Sequence, residues 1–591
     1  MSQHFIVTIA AAQKIEVYMD LPLAMNYERG PGAPKRIKVP FGTGGMTSNF
    51  LSPLDIAITL IYALAIFSLA QFVSNRSANV RASPKGYFFA GNQLPWWAIG
   101  ASLIAANISA EQIIGMSGSG FRIGLAVASY EWMSAATLLL VGKFVLPVFF
   151  STGSVTMPGF LARRFGPSVR YLMAIFWLGQ YILINLTAIL WLGGTAVTTV
   201  TGMDPMLALI LLGCFALAYQ FSGGLKAVAL TDVVQVSLLT LGGLIILAVT
   251  LSQIGGQASP SGIANGFRVL MTRFPDHFHM ILPKTSPHYK DLPGIAVLVG
   301  GMWIMNLSYW GFNQYIIQRA LAGKSLPEAQ KGIAFAAYLK LLMPVIVVLP
   351  GMAALVLAPD ITRSDQAYPT MMTLLPPGCL GLVFAALAAA IVASSASKIN
   401  SIATIFTMDI VKPALPALSD QTLVSIGRIA SVGALAIAIL VAKPLLGNFD
   451  QVFQFGQSLT GFFAPGIMVI FALGMCWKRC TTAGAFSAIA TGFIMSCVFY
   501  GAAHLHQHPE IDGAFPAWII AHIPDMPFLN RVGWVFWISL LTCIGVSLMT
   551  REPSSEAVVD LTRIDFRTTR AFNIAATGAL IVLTIIYVVL W

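Results

Sequence analysis

Charged residues are scarce in this sequence. Aspartate, glutamate, lysine and arginine together make up only 10% of its 591 residues, whereas 57% are hydrophobic. A soluble domain has roughly a quarter of its residues charged. The shortage of charge excludes an ordinary soluble globular protein, and the apolar residues instead come in long uninterrupted runs.

Cysteines and clustered metal ligands are also few. Cys476 and Cys480 lie close together in the sequence, but two thiols without further ligands make a poor zinc site. His504, His506 and His508 alternate in a loop without a fixed acidic partner, which is more typical of a solvated loop than of a metal site. We therefore expect neither disulfide pairing nor a zinc-type site.

Alternating strand patterns are absent as well. A run of about 20 apolar residues matches the ~30 Å hydrocarbon thickness of a bilayer, and lipid offers the backbone no hydrogen-bond partners, so such runs must be helical. The net charge of +11 comes from basic residues in short loops between the runs, which is the pattern of a multi-span protein and not of a nucleic-acid surface. We predict about fourteen spans, centred near residues 62, 105, 136, 184, 212, 240, 304, 345, 392, 432, 462, 492, 538 and 580.

The first 45 residues differ from the rest of the chain. They are polar and contain no continuous apolar span. A signal peptide needs an apolar central run followed by a small-residue cleavage site, and residues 1–45 lack this combination. We treat them as a polar N-terminal extension of no assigned function.

Polar residues interrupt two of the predicted spans in similar ways. The second span contains Asn107, Glu111 and Gln112 followed by several glycines, and the seventh contains Asn306 after a glycine pair. Paired interruptions of this kind predict the discontinuous helices of an inverted-repeat transporter, whose unwound carbonyls can bind a cation. The alternative is that the glycines only allow close helix packing.

Two charged residues lie at membrane depth, Glu131 in the third span and Lys340 in the eighth. Each charge costs ~3 kcal/mol or more there. The two charges become tolerable if they face one cavity and share hydroxyl-bearing ligands. A sugar suits this arrangement because each hydroxyl both donates and accepts. A purely structural buried pair is the alternative. Flat apolar faces for a sugar are offered by Tyr130, Tyr181, Tyr309 and Trp310.

A run of hydroxyl residues lies in the ninth predicted span. Ser394, Ser395 and Ser397 follow a stretch rich in alanine. Packed against a broken helix, their oxygens would be hard ligands for a small cation, although serines also simply pack in membrane helices. The residues alone leave both interpretations open.

Several long strings carry a resemblance to the solute:sodium symporter family, which extends over about residues 49–591. The strings are Ser102–Gln112, Gly115–Gly120, Ser129–Ser134, Tyr309–Arg319 and Thr404–Asp409. The resemblance implies an all-α polytopic membrane protein with a five-plus-five inverted-repeat (LeuT-like) core. It also implies a symporter domain over 46–591, repeats at about 94–253 and 291–475, and extra helices at both ends.

The resemblance also implies roles for individual residues. The substrate-binding residues would be Gln112, Glu131, Ser134, Asn306, Lys340 and Gln457, with Asn107 and Tyr130 beside them. The gate residues would be Met116, Tyr181 and Phe453, with Tyr309 stacked beneath the sugar.

The implied sodium site uses the carbonyls of Ala105, Ile108 and Ala390 and side-chain oxygens at positions 393 and 394. This chain departs from the family pattern there, because Ala393 stands where the family has a first serine and only Ser394 matches the second. One hydroxyl is therefore missing. Ser395 could substitute for it only if the helix shifts by one residue.

We expect a secondary active transporter that couples inward sodium movement to uptake of galactose or glucose by alternating access. The alternative is a sodium- or proton-coupled symporter for another polyol such as inositol, with Asp232 or Glu111 carrying the proton. A membrane enzyme is disfavoured because no metal triad or nucleophile–base pair is evident, and a channel because single polar residues do not form a ring of ligands. The expected partners are a sugar, sodium and the lipid bilayer of a bacterial inner membrane, with no nucleic acid and no obligate protein partner.

Overall fold

The computed structural model describes residues 51–76, 93–153, 156–447, 449–507, 522–551, 553 and 558–591. Regular structure in these residues is helical, apart from one isolated backbone bridge between Leu94 and Gly323. The extension predicted at residues 1–45 lies outside the described residues, as does His508.

The spans are numbered here α1 to α14 in chain order. They are α1 Pro53–Arg76, α2 Trp96–Asn107 with Glu111–Ile123, α3 Leu125–Thr152, α4 Pro167–Thr201, α5 Pro205–Phe221, α6 Ala229–Gly255, α7 Gly301–Phe312 with Gln314–Leu321, α8 Leu326–Leu357, α9 Cys379–Ala414, α10 Asp420–Leu446, α11 Val452–Thr460 with Ala464–Cys476, α12 Thr482–Gln507, α13 Phe528–Met549 and α14 Arg570–Val589. Shorter helices in the connections include Met157–Phe165, Pro260–Arg273, Ile295–Val299 and Ala367–Met372.

The described helices have the length and composition of a multi-span membrane protein. Nine of them are long and apolar enough to cross a membrane alone, or eleven when the bent pairs α2 and α11 each count as one span. The remaining predicted centres fall on two shorter apolar helices in α1 and α5, and on the interrupted helix α7. The all-α multi-span architecture expected from the sequence is confirmed.

Spans α5 and α6 are two arms of one bent helix. The helical backbone runs without a break from Pro205 to Gly255, 51 residues, which would be about 77 Å long if straight. The Tyr219 and Thr231 hydroxyls nevertheless hydrogen-bond to each other, whereas twelve residues of straight helix would separate them by about 18 Å. The chain therefore bends sharply between these residues, and two spans result.

Three spans are interrupted. α2 bends by 63° between Asn107 and Glu111, and α11 bends by 43° between Thr460 and Ala464. α7 is interrupted at Asn313, whose φ of −88° and ψ of 126° are extended rather than helical. The interruptions of α2 and α7 fall in the two spans whose paired polar residues predicted them.

The glycines of α2 do not form its break. Gly115, Gly118 and Gly120 all lie in the helical half that follows the break. A Cβ atom at Gly118 would lie 2.8 Å from the backbone carbonyl carbon of Ser364, and one at Gly120 would lie 2.9 Å from the carbonyl oxygen of Val348. These glycines allow close packing, which is the alternative role that the sequence left open for them.

Burial distinguishes the central span α2 from the peripheral span α14. Every residue from Ala98 to Asn107 in the first half of α2 is buried, and this half packs against α6, α8 and α9. In α14, by contrast, the buried residues are Phe572 and Ala579. The polar break of α2 therefore lies at the centre of the described bundle, and α14 lies at its periphery.

Candidate functional site

A buried ion pair joins three helices at the centre of the candidate site. Lys340 of α8 forms a salt bridge with Glu131 of α3, and both side chains are buried. The Lys340 ammonium also donates to the Asn107 side-chain oxygen on α2, and it lies 4.9 Å from the ring centre of Trp310 on α7. Because a lone charge is costly at membrane depth, these contacts explain how two opposite charges are tolerated there.

Ser134 and Asn306 extend this cluster along α3 and α7. Ser134 Oγ lies 2.8 Å from Asn306 Oδ1 and accepts a hydrogen bond of 2.9 Å from the indole nitrogen of Trp310. The amide nitrogen of Asn306 is buried and has no hydrogen-bond partner among the described residues. A buried donor without a partner is costly, and it is available to a hydroxyl oxygen of a ligand.

Tyr309 connects the ion-pair cluster to a second group of tyrosines. Its hydroxyl accepts a hydrogen bond of 2.9 Å from Asn107 Nδ2 and another from the Tyr315 hydroxyl. Its ring meets that of Trp310 edge to face at 5.2 Å between centroids. Asn107 thus touches both Lys340 and Tyr309 from the end of the first half of α2.

Phe453 and Gln454 of α11 cover Tyr130. The Tyr130 hydroxyl donates to Gln454 Oε1 at 3.2 Å, and the Tyr130 and Phe453 rings meet edge to face at 5.2 Å. A Cβ atom at Gly115 would lie 2.8 Å from Phe453 Cβ, so α2 and α11 touch beside Met116, which is buried. Within the described residues, the amide nitrogen of Gln454 has no partner.

The predicted gate residue Tyr181 lies elsewhere. Its hydroxyl donates to Asn313 Oδ1 and accepts a hydrogen bond of 3.1 Å from the backbone nitrogen of Gln314. Its ring meets Tyr315 edge to face at 5.4 Å. The structure therefore places Tyr181 at the interruption of α7, whereas Phe453 packs on Tyr130.

Two predicted glutamines take less central positions. Gln112 is buried, and its side-chain oxygen accepts a hydrogen bond of 2.9 Å from Ser109 in the same turn of α2. Gln457 is partly buried on α11, three residues beyond Gln454. The contact of Gln454 with Tyr130 was not predicted, although the three-residue spacing of Gln454 and Gln457 places them on one face of a helix and could have indicated it.

The predicted cation ligands lie on two helices that pack together, α2 and α9. In α2, the break leaves the carbonyls of Ala105 and Ile108 without a hydrogen bond from any described residue. In α9, Ala390 and Ala393 are buried, and the Ala393 carbonyl accepts a hydrogen bond of 2.8 Å from Ser397.

The adjacent serines of α9 differ in their hydrogen bonding. Ser394 Oγ donates to the Ile391 carbonyl at 3.0 Å. Ser395 Oγ is buried and has no partner in the described part of the chain. A hydroxyl of this kind retains its lone pairs, so Ser395 has an oxygen available where Ala393 has none.

A second buried ion pair ties four helices together. Asp232 of α6 accepts a hydrogen bond of 2.6 Å from Ser102 of α2, and Arg319 of α7 donates to the same serine at 2.7 Å. An Arg319 terminal nitrogen lies 3.6 Å from Asp232 and donates to Ser397 of α9 at 2.5 Å. Asp232, which the sequence suggested as an alternative proton carrier, is therefore held in a network that the sequence did not reveal.

Known proteins match this chain over most of its length. The model of the sodium:solute symporter family matches residues 87–492. The sodium/glucose cotransporter of Vibrio parahaemolyticus is 46% identical, over 92% of this chain and 99% of its own length. Sodium/myo-inositol cotransporter 2 of Mus musculus is 32% identical, over 87% of this chain and 79% of its own length.

One solved structure gives an independent likeness of fold. A sodium-coupled sialic acid symporter, in a substrate-bound outward-open state, superimposes with a TM-score of 0.70 at 21% identity, over 85% of this chain and 99% of that one. The inverted-repeat transporter fold expected from the sequence is confirmed. The chain is a multi-pass membrane transporter and not an enzyme, and it belongs to the sodium:solute symporter family.

Proposed function

We propose that this chain couples the inward movement of sodium to the uptake of a hexose by alternating access. The observation that carries the proposal is the cluster of Lys340, Glu131 and Asn107, with the unpaired amide nitrogen of Asn306 beside it. An ammonium, a carboxylate and two amides together offer donors and acceptors, which suits hydroxyls that do both. The indole of Trp310 offers an apolar face next to them.

The proposed sodium ligands are the carbonyls of Ala105, Ile108 and Ala390 and the hydroxyls of Ser394 and Ser395. Calcium, magnesium and other hard cations take oxygen ligands, and we expect the same of sodium. The buried Ser395 hydroxyl has no partner among the described residues, and it would take the place of the oxygen that Ala393 lacks if α9 shifts by one residue when sodium binds. Sodium is a transported ion in this account and not a cofactor.

The geometry of α2 suggests how the two sites communicate. Asn107 lies between Ala105 and Ile108 in the chain, and it contacts both Lys340 and Tyr309. A cation held by the two carbonyls would fix the break and thereby orient Asn107 toward the sugar. The coupling free energy can be no larger than the difference in sodium affinity between the two conformations.

A second candidate substrate is inositol. Relatives described as sodium/myo-inositol cotransporters are 30–32% identical to this chain, and a cyclic polyol offers hydroxyls similar to those of a hexose. The Vibrio sodium/glucose cotransporter is the more similar of these relatives at 46%, which favours the hexose and supports a bacterial inner membrane as the location.

The test is uptake into proteoliposomes that contain the purified protein. Radiolabelled glucose, galactose, myo-inositol, proline and a carboxylic acid are compared under an inward sodium gradient, with equal sodium on both sides as the control. We expect accumulation of a hexose only with the gradient. Transport of proline or the carboxylic acid alone would overturn the sugar assignment, and preferential transport of inositol would replace the hexose.

A further inference from the structure

A third ion pair, of a buried lysine with a partly buried glutamate, links α2 and α9 beside the proposed sodium ligands. Lys398 of α9 is 1% exposed, and its ammonium lies 4.0 Å from the Glu111 carboxylate of α2. The same ammonium lies 4.6 Å from the ring centre of Tyr315. The backbone nitrogen of Glu111 donates to the Ser109 hydroxyl at 3.2 Å. Neither Lys398 nor Glu111 belongs to the proposed sugar-binding cluster of Lys340, Glu131, Asn107 and Asn306.

The sequence positions of this pair place it close to the proposed ion. Lys398 follows Ser394 by four residues on a continuous helix, which is about 6 Å along the axis. Glu111 follows Ile108 by three residues, just beyond the break in α2. The two helices that would hold sodium therefore carry one fixed positive charge, on α9, and one fixed negative charge, on α2.

We propose that the Lys398–Glu111 pair sets the sodium affinity of the transporter. The ammonium repels a cation bound one turn away, and the carboxylate attracts it, so the two effects partly cancel. Coulomb interactions over such distances in a protein of effective dielectric about 20 change a binding constant by roughly tenfold or more. Arg319 and Asp232 are the neighbouring charges, and they are paired with each other. This inference rests on the proposed function, because it presupposes a sodium site between α2 and α9.

The test is a double-mutant cycle in the full chain. We expect Lys398→Met to lower the half-saturating sodium concentration about tenfold, and Glu111→Gln to raise it about tenfold. The double variant should return to within about threefold of the unsubstituted protein, because both fixed charges are then absent. Lys398→Arg keeps the charge and should leave sodium affinity nearly unchanged.

Two readouts keep an effect on folding separate from an effect on sodium. Sodium activation of sugar uptake is measured in proteoliposomes, and binding of radioactive sodium is measured on purified protein that elutes as a single peak. Lys412→Met is the matched control, because Lys412 lies near the end of the same span and is exposed.

The outcomes separate this proposal from the one on which it rests. Sodium-independent uptake by the unsubstituted protein would overturn the proposed function, and this inference with it. Sodium-dependent uptake with the same half-saturating concentration in Lys398→Met, Lys412→Met and the unsubstituted protein would overturn this inference alone. So would equal shifts in Lys398→Met and Lys398→Arg, since a charge effect cannot produce them.

Discussion

At the residue scale, the proposed sugar site depends on the contact between Glu131 and Lys340. We expect Glu131→Gln to weaken apparent sugar affinity about ten- to hundredfold, because a hydrogen bond to a charged group contributes ~1.5–3 kcal/mol. Gln112→Ala should also weaken uptake severely. The measurement is sugar-concentration dependence of uptake, with Asp420→Asn on an exposed turn of α10 as the control. Unchanged apparent affinity in both site variants would remove these residues from the site.

The serines of α9 give a second prediction at the same scale. Ala393→Ser should lower the half-saturating sodium concentration, because it adds an oxygen with little volume. Ser394→Ala should nearly eliminate coupling, and Ser395→Ala should raise the half-saturating sodium concentration, because each removes a proposed ligand. Ser425→Ala on an exposed turn of α10 is the matched control. If Ser395→Ala behaves like that control, the unpaired Ser395 hydroxyl is not a sodium ligand.

The sequence predicted single residues better than their partners. Glu131, Lys340 and Asn107 stood out because polar groups are costly at membrane depth, and the structure joins them. The pairing of Arg319 with Asp232 was not predicted, because the two residues lie 87 positions apart in the sequence and no local pattern relates them. The contact of Gln454 with Tyr130 also joins distant parts of the chain, although the spacing of Gln454 and Gln457 could have indicated it.

At the scale of elements, the close contact between α2 and α11 gives a third prediction. A Cβ atom at Gly115 would lie 2.8 Å from Phe453 Cβ, which is too close without movement of one helix. We expect Gly115→Ala to slow uptake several-fold by displacing Phe453 from Tyr130. Gly433→Ala on α10 is the control, because nothing lies within 4 Å of its added Cβ. Equal uptake rates in the two variants would show that this contact does not affect transport.

The sequence identified two of the three broken spans, but it did not show how they break. Polar residues marked α2 and α7 correctly, whereas the break of α2 lies between Asn107 and Glu111 and precedes the glycines. Glycine permits both an unwound backbone and close packing, so its presence alone could not separate the two. The two spans on either side of the bend between Tyr219 and Thr231 were predicted, but the hydrogen bond between these two side chains was not.

At the scale of the whole molecule, residues 1–45 give a fourth prediction. They are polar and lack an apolar span, and the family model begins its match at residue 87. We expect a chain that starts at Met46 to accumulate sugar as well as the full chain does, measured per molecule of purified protein in proteoliposomes. Complete loss of uptake by a shortened protein that still purifies as a single species would contradict this prediction.

The identity of the driving ion is the central claim about the whole molecule. The acids that could carry a proton instead, Asp232 and Glu111, are each paired with a buried base, Arg319 and Lys398 respectively. The most direct test measures sugar accumulation in proteoliposomes at fixed pH under an inward sodium gradient, and then under an inward proton gradient with sodium absent. Sodium coupling predicts accumulation above equilibrium in the first condition and only equilibration in the second. Accumulation driven by the proton gradient, with none from sodium, would contradict it.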